Sequence, residues 1–285
     1  MTVQFALDLH IRVATYNVCN LFLCGEGEPK PPKALRALTR AVDRLAADVL
    51  VMQEVGSQAS LDAFNARLKK PYPCAICQPG NSTRGIHLAV LSRWPIEVHS
   101  HRDRVLTDGD GATVAAFADH SAALAQNPTP VGLQRDVLQV HTGDITLFGV
   151  HLKSKANPAW QCVAADDIRH LEARAVAAIV DEYHQQHQKE SIILLGDFND
   201  VPDAPCLAPL TRLGWTDPHG EKYARLGRNP STYWPKRRTR LDRMLVSPET
   251  VQRLDKDTAE LHSGEMLRRA SDHYPISIDL VAWGQ

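Results

Sequence analysis

The sequence has no long apolar run. No stretch approaches the roughly 18 residues that a membrane-spanning helix needs, so we expect no membrane span. The first residues, MTVQFALDLHIR, carry an acidic residue early and lack the basic-then-apolar layout of a secretory signal peptide. Both absences favour a cytoplasmic protein.

An excess of one charge is also missing. The 32 lysines and arginines nearly balance the 33 aspartates and glutamates, which leaves a formal charge of −1. That balance does not indicate a nucleic-acid-binding protein, although it is compatible with a local basic patch.

Cysteine is sparse and unpatterned. The six cysteines are scattered, and free thiols are usual in a cytoplasmic protein of this size. Cys74 and Cys77 form a CxxC pair without a second pair, so the spacing gives little support for a metal or redox site.

Internal repeats, low-complexity segments and linkers are absent as well, so we expect residues 1–285 to form a single domain. The apolar content of 44% is ordinary for a globular protein. Strands interspersed with two long helices, without strict alternation, predict an α+β layered sandwich rather than a doubly wound sheet.

The most informative stretch runs from Ile192 to Asp200, IILLGDFND. Its four apolar residues predict a strand buried on both faces, and Gly196 predicts a turn or a close approach of another group. If the chain stays extended, Asp197 and Asn199 point to the same side. This arrangement suits metal and phosphate chemistry, and a polar turn after a core strand is the alternative.

The apolar pattern predicts further elements along the chain. Strands are expected at 11–16, 48–52, 86–91, 136–140, 145–150, 241–246 and 276–281. Helices are expected at 31–45, at 60–68 with Ser60 as its cap, at 166–184 and near 207–213. The segment 101–134 contains loop signals but no clear element.

Polar residues recur at the ends of these strands. They are Asn17, Glu54, His151, Asp197, Asn199, Asp272 and His273, and Asp242 lies one residue inside its strand. Sites are usually built on loops at the rim of a rigid sheet. Carboxylates and amides without thiolates favour Mg²⁺ or Mn²⁺ over zinc, and nearby histidines suit proton transfer and charge neutralisation at phosphorus.

Seven motifs together resemble the endonuclease/exonuclease/phosphatase superfamily. They are TYNV at 15–18, QEV at 53–55, LSRWPI at 91–96, GVHLKSK at 149–155, LLGDFND at 194–200, RLDRMLVS at 240–247 and SDHYPI at 271–276. The motifs occur in the family's order and cover nearly the whole chain. GDFND followed by proline, together with HLKSK, most resembles bacterial extracellular-nuclease-like members, whereas QEV differs from the QETK of abasic-site endonucleases.

The resemblance implies a four-layered α/β/β/α sandwich of two packed, mostly antiparallel sheets flanked by helices, with the site at one end of the sheets. It implies Asn17, Glu54 and Asp272 as metal-binding residues for Mg²⁺ or Mn²⁺. His151 would bind the phosphate, Asp197 and Asn199 would handle the phosphate and the attacking water, and His273 would be an acid/base supported by Asp242. Arg135 resembles an arginine that the nucleases place near the site, and no residue matches the tyrosine that the family often has there.

Two groups of cations lie near these motifs. Lys153 and Lys155 alternate with His151 and would share its face in an extended segment, where the alternative is a solvated strand edge. A second run follows Tyr233 and Trp234 and comprises Lys236, Arg237, Arg238, Arg240 and Arg243. Aromatic and basic residues beside a site would suit a nucleic-acid strand, and a charged surface loop is the alternative.

The sequence therefore predicts a divalent-metal-dependent phosphodiester hydrolase, foremost a nuclease with DNA or RNA as its substrate. Water would attack phosphorus in line, and either Asp197 or His273 would be the base. One alternative is a phosphatase or phosphodiesterase that acts on lipid head groups or small phosphoesters. The other is a non-catalytic binding member of the same fold.

Overall fold

The computed structural model describes residues 10–25, 27–108, 132–156, 164–236 and 239–281. Most of the unassigned 101–134 segment lies outside these ranges, as do Arg237 and Arg238 of the basic run. None of the helices in the described ranges combines the length and the apolar character that crossing a membrane requires.

The described part of the chain forms eleven strands and seven α-helices. The strands are β1 (His10–Leu21), β2 (Val49–Val55), β3 (Cys74–Gln78), β4 (His87–Ser92), β5 (Glu97–Ser100), β6 (Val137–Thr142), β7 (Ile145–His151), β8 (Ser191–Asp197), β9 (Asp242–Val246), β10 (Leu254–Leu261) and β11 (Ile276–Val281). The helices are α1 (Pro32–Leu45), α2 (Gln58–Asn65), α3 (Ala165–Gln186), α4 (Ala208–Thr211), α5 (Pro218–Arg225), α6 (Pro248–Val251) and α7 (Glu265–Ala270).

The strands form two sheets. One sheet has the order β10-β11-β1-β2-β4-β3, and the other has the order β5-β6-β7-β8-β9. Only the pairs β1–β2 and β7–β8 are parallel, one in each sheet. The other neighbours are antiparallel, so the prediction of two mostly antiparallel sheets is confirmed.

Alternating side chains create the layers, because successive residues of a strand point to opposite faces. In β2, Leu50 and Met52 pack in a cluster with α1, α2 and α7, whereas Val49 and Val51 pack between the sheets. In β8, Ile192 and Leu194 pack against α3, and Ile193 and Leu195 pack between the sheets. The predicted burial of this strand on both faces and the four-layered sandwich are therefore confirmed.

One predicted detail is wrong, and the extended course considered for residues 197–199 is not adopted. The cap of α2 is Ser57, whose side chain accepts the N–H of Ser60, so Ser60 lies inside the helix. Strand β8 ends at Asp197, because Asn199 takes a left-handed backbone with φ of 54° and turns the chain. In β3, Cys74 and Cys77 are three residues apart, so their side chains point to opposite faces of the strand.

Candidate active site

The two parallel strand pairs deliver polar residues to one end of the sandwich. Asn17 lies near the carboxyl end of β1, while His151 and Asp197 end β7 and β8 and are register partners. Asp242 begins the antiparallel strand β9 and pairs in register with Asp197. Strand directions alone therefore bring these predicted residues to the same rim.

The alternation of side chains along each strand directs most of these residues into the space between the two sheets. Four site residues lie on the same face of their strand as apolar residues that pack between the two sheets. They are Asn17, His151, Asp197 and Asp242. Asp197 lies two residues after Leu195, for example, and Asp242 lies two residues before Met244. The site is thus the polar end of the inter-sheet core, which explains why these four side chains are buried.

Glu54 breaks this alternation and reaches the site through a backbone irregularity. The register between β2 and β4 shifts between Met52 and Val55, and Glu54 has φ of +66°. Such a bulge re-aims a side chain. Cys19, Asn20 and Asn199 also have positive φ without being glycine, and strained backbone of this kind clusters at functional sites.

Gly196 allows β8 to approach β7 at the rim. It has φ of +141°, and a Cβ atom there would lie 2.0 Å from the carbonyl oxygen of Val150. The close approach predicted for this glycine is therefore made by the neighbouring strand. Any larger residue would separate His151 from Asp197.

A hydrogen-bond network joins the two sheets through Asn17. Its Nδ2 donates to Oδ2 of Asp197 at 3.0 Å and to Oε1 of Glu54 at 3.4 Å. Its Oδ1 accepts the backbone N–H of Cys19 at 3.1 Å, and Glu54 Oε2 accepts the N–H of Asn20. In this orientation Asn17 presents amide hydrogens, not its oxygen, to the two carboxylates.

Asp197 is held by several donors in a buried place. Its Oδ1 accepts the N–H of Asn199 at 2.8 Å, while the Asn199 amide also donates to the carbonyl oxygen of Leu152. Burial raises the pKa of Asp197 to about 6, although His273 and the hydrogen bonds from Asn17 and Asn199 oppose the rise. The group is thus a carboxylate near neutral pH with unusual affinity for a proton.

His273 and Asp242 form a short buried pair. His273 Nδ1 lies 2.7 Å from Asp242 Oδ2, and its Nε2 lies 3.8 Å from Asp197 Oδ2. Burial lowers the pKa of His273, but the carboxylates of Asp242 and Asp197 outweigh it and raise the pKa to about 10. The pair therefore favours an imidazolium at neutral pH, and Asp242 lies in hydrogen-bond contact with its Nδ1.

His151 has the opposite protonation state. Its Nε2 lies 3.6 Å from Asp197 Oδ2 and 4.0 Å from Glu54 Oε1. Burial lowers its pKa well below the usual value, and the positive charges of Arg135, His273 and Arg84 add to the effect. The site thus contains one neutral imidazole and one imidazolium.

These groups surround one cavity of about 430 Å³. Its lining includes Glu54, Arg84, Arg135, His151, Lys155, Asp197, Asn199, Tyr233, Lys236, Asp272 and His273. The cavity therefore joins most of the predicted site residues to four cations and one tyrosine. We call it the active-site cavity below.

Three of the predicted cations point elsewhere. The Lys153 ammonium donates to the carbonyl oxygens of Ser154 and Ala156, and Lys153 does not line the active-site cavity. Arg240 and Arg243 both pair with Asp217, at 2.6 and 3.2 Å. These two arginines therefore do not line the active-site cavity, whereas Lys236 of the same run does.

Comparison with known proteins shows which family the chain belongs to. The sequence profile described as the endonuclease/exonuclease/phosphatase family matches residues 14–273. The chain belongs to this family. No curated protein matches it. The resemblance of the motifs to the family is confirmed, and the bacterial extracellular-nuclease-like subgroup stays a prediction.

Solved structures share the fold of the family at low identity. The human Nocturnin catalytic domain with bound sulfate anion has a TM-score of 0.61 and 16% identity, and the alignment covers 96% of this chain and 95% of that one. An AP endonuclease from Archaeoglobus fulgidus gives 0.59 and 14%, with 95% and 100% covered. Truncated Caenorhabditis elegans TDP2 gives 0.55 and 18%, with 96% and 98% covered.

Several residues of this family member's site were not predicted. Arg84 Nη2 donates to Asn20 Oδ1 at 2.9 Å and lies 3.8 Å from Glu54 Oε2. Tyr233 lines the active-site cavity, and its ring lies 5.1 Å from the His273 ring, but the sequence assigned it no place in the site. Lys30 is buried and donates to the carbonyl oxygens of Val18 and Cys19. Arg84 and Lys30 lie in loops, where neither periodicity nor a motif could reveal them.

Two groups of side chains could bind the divalent ion on which the family generally depends. Glu54 and Asp272 both line the cavity and offer hard carboxylate oxygens, which fits Mg²⁺ or Mn²⁺. A second group consists of Asp197, Asp242 and His273, whose ligand atoms lie within 4.8 Å of one another. In that group His273 and Asp242 already share a hydrogen bond of 2.7 Å, and a protonated imidazole cannot bind a cation. Glu54 and Asp272 therefore fit the ion better.

Proposed function

We propose that this chain, residues 1–285, is a single-domain, divalent-metal-dependent phosphodiester hydrolase that cleaves DNA or RNA. The observation that carries the proposal is the meeting of the Asp242–His273 pair, Asp197, His151 and the Glu54 and Asp272 carboxylates around one cavity. These are the groups that hydrolysis of a phosphodiester needs: a base, charge stabilisers and oxygen ligands.

Asp197 is our proposed general base. A base should be a carboxylate near neutral pH and yet have a raised pKa, because both properties favour proton transfer from water. Asp197 has both, since burial raises its pKa to about 6. The neighbouring His273 holds its proton tightly through Asp242, which suits it to stabilise negative charge rather than to accept a proton.

Neutral and cationic donors would bind the phosphoryl oxygens. His151 stays neutral and can donate one N–H, while the Asn199 amide is fixed by Leu152. Arg135 is half-buried, lines the cavity and donates to the carbonyl oxygen of Leu152 at 2.8 Å. Preorganised donors of this kind stabilise the charge that develops in the transition state.

Glu54 and Asp272 would hold Mg²⁺ or Mn²⁺, and Asn17 would orient Glu54 through its amide hydrogens. Such an ion supplies Lewis-acid stabilisation of charge on the phosphoryl and leaving oxygens. The Arg84 guanidinium lies 3.8 Å from Oε2 of Glu54 and partly offsets the negative charge of this carboxylate.

Substrate size separates the nuclease from the strongest alternative, a phosphatase or phosphodiesterase of small phosphoesters or lipid head groups. The formal charge of −1 supports the alternative. The motif resemblance and the AP endonuclease among the structural neighbours support the nuclease, while the family covers both activities. A non-catalytic role is the weakest alternative, because the site retains its acids, bases and amides together.

The test is a panel assay on plasmid DNA, single-stranded DNA, RNA and bis-p-nitrophenyl phosphate, each with Mg²⁺, Mn²⁺ or EDTA. We expect hydrolysis with either metal and none in excess EDTA. Asp197→Asn, purified identically, should lose at least about 100-fold in rate, which excludes a contaminating nuclease. Full turnover in EDTA, or an unchanged rate for this variant, would refute the proposal.

A further inference from the structure

A second cavity adjoins the active-site cavity. It has a volume of about 620 Å³ and lies between the segment that follows β1 and the carboxyl end of α7. Arg84 and Asp272 line both cavities, so these two residues form a shared rim between them. We call it the adjoining cavity.

The charges around the adjoining cavity favour an anion. Its lining contains four cationic side chains, Lys30, Arg84, Arg268 and Arg269, against two carboxylates, Glu28 and Asp272. The chain as a whole carries a formal charge of −1, so this surface is locally cationic. Locally concentrated charge of one sign attracts ligands of the opposite sign.

The cations have hydrogen-bonding capacity to spare. Lys30 uses two of its three ammonium hydrogens on Val18 and Cys19, and Arg268 donates Nε to the Tyr274 hydroxyl at 2.6 Å. Arg269 pairs with Glu265 on an exposed helix surface, where an ion pair is weak and opens easily. The arginines are thus available to a phosphate, for which guanidinium geometry is well suited.

Tight packing shapes the wall of the adjoining cavity. A Cβ atom at Gly27 would lie 2.6 Å from the Phe22 ring, and one at Gly56 would lie 2.3 Å from it. Phe22 is therefore clamped between two glycine backbones, and its backbone N–H also bonds to Asn20. The wall is a preformed feature of the fold, which lowers the entropy lost on binding.

We propose that the adjoining cavity binds the nucleotide next to the cleaved phosphodiester, so that oligonucleotides are preferred over small phosphoesters. This inference rests on the function proposed above. Asp272, a proposed metal ligand, forms the shared rim, and a strand that continues from the cleaved phosphate across this rim enters the adjoining cavity. Its next phosphate then meets Arg268, Arg269 and Arg84.

The test compares substrates of increasing length with charge variants of the cavity. The measured quantity is the ratio of kcat/KM for a single-stranded tetranucleotide to kcat/KM for bis-p-nitrophenyl phosphate. We expect Arg268→Ala/Arg269→Ala to lower this ratio at least tenfold and Glu28→Gln to raise it. The control Arg40→Ala/Arg44→Ala removes two exposed helix arginines that line neither cavity, and it should leave the ratio unchanged.

Salt dependence gives a second, independent readout. Loss of two phosphate contacts should reduce the slope of log Kd against log salt concentration by about 1.4 for a single strand. The binding is measured by fluorescence anisotropy of a labelled tetranucleotide on the inactive Asp197→Asn protein. Glu28→Gln keeps the test valid even if the double variant does not fold, because this substitution alters only one exposed side chain.

The outcomes separate this inference from the proposed function. Metal-dependent hydrolysis with a length ratio that no cavity variant changes would overturn the inference and leave the hydrolase intact. Absence of hydrolysis on every substrate would overturn the proposed function, and the anisotropy of the charge variants would still decide whether the adjoining cavity binds a strand. Equal effects of the Arg40/Arg44 control would reduce the result to general electrostatic attraction and refute the inference.

Discussion

In the proposed mechanism Asp242 acts through two neighbours, because it pairs with His273 and its charge helps to raise the pKa of Asp197. It is fully buried, touches His273 at 2.7 Å and lies behind the imidazole. We predict that Asp242→Asn lowers kcat by about 100-fold with little change in KM, because an amide neither fixes nor stabilises the imidazolium as well.

The pH profile of the same variant provides the decisive measurement. In the wild type the acidic limb should fall as pH drops through about 6, where Asp197 takes up a proton. The alkaline limb should appear near pH 10, where His273 loses its proton. Removing the Asp242 charge lowers the pKa of His273, so the alkaline limb of Asp242→Asn should move to lower pH. An unmoved limb with raised KM would contradict the pairing.

Gly196 gives a second residue-scale prediction. Gly196→Ala combines a disfavoured positive φ with a Cβ atom 2.0 Å from Val150 oxygen, and we expect it to cost about 2–6 kcal/mol of unfolding free energy. The control Gly143→Ala has φ of +59° but no atom within 4 Å, so it should cost only about 1–2 kcal/mol. Urea titration of both variants measures the difference, and equal losses would show that the close approach does not matter.

Single residues were predictable where a strand end placed them. Asn17, His151 and Asp197 continue an alternating apolar row, so pattern and motif agree on them. Glu54 was found as a polar residue after a predicted strand and through its motif, but the bulge that turns it into the site has no signal in the alternation. Lys153 and the Asp217-bound arginines differ from expectation, because the sequence does not show which acceptors a cation meets in the fold.

Among the elements, the last residues of β1 contain a turn that the sequence did not predict. Cys19 and Asn20 are both left-handed, and the turn presents Asn20 N–H to Glu54 and the carbonyl oxygens of Val18 and Cys19 to Lys30. The missed strands β3, β5 and β10 are short or polar edge strands, for which alternation is weak. The long elements α1, α3, β7 and β8 were found, because their apolar patterns cover several turns or pleats.

The Lys30 ammonium should therefore position a metal ligand. Lys30→Met keeps the length of the side chain but leaves the carbonyl oxygens of Val18 and Cys19 without their donor. We expect a loss of about 1–3 kcal/mol in stability and about 10-fold weaker Mg²⁺ binding, because Glu54 loses its orienting turn.

Thermal unfolding across a Mg²⁺ titration measures both effects without turnover, since ligand binding stabilises the fold by an amount that grows with the logarithm of the ratio of concentration to Kd. Lys33→Met, an exposed lysine at the start of α1, is the matched control and should change neither value. A lower Tm with an unaltered Mg²⁺ dependence would show that Lys30 only supports the fold.

At the scale of the whole molecule, the site exists because two sheets meet at a fixed spacing. Asn17 and Glu54 come from one sheet, and His151, Asp197 and Asp242 come from the other. Gly149 in β7 and Val51 in β2 set that spacing. Gly149 lies two residues before His151, and Val51 lies three residues before Glu54. A Cβ atom at Gly149 would lie only 2.7 Å from Val51 Cγ1, so the sheets touch there through a glycine.

Gly149→Ala should therefore act as a wedge between the sheets. We expect it to cost about 1–3 kcal/mol in stability and up to about 100-fold in kcat/KM, since misplacement of catalytic groups by an ångström has such effects. Adding Val51→Ala removes the clashing methyl group, so the double variant should recover rate relative to Gly149→Ala. The double-mutant cycle should yield a coupling of at least about 0.5 kcal/mol, whereas strictly additive losses would show that sheet spacing does not control the site.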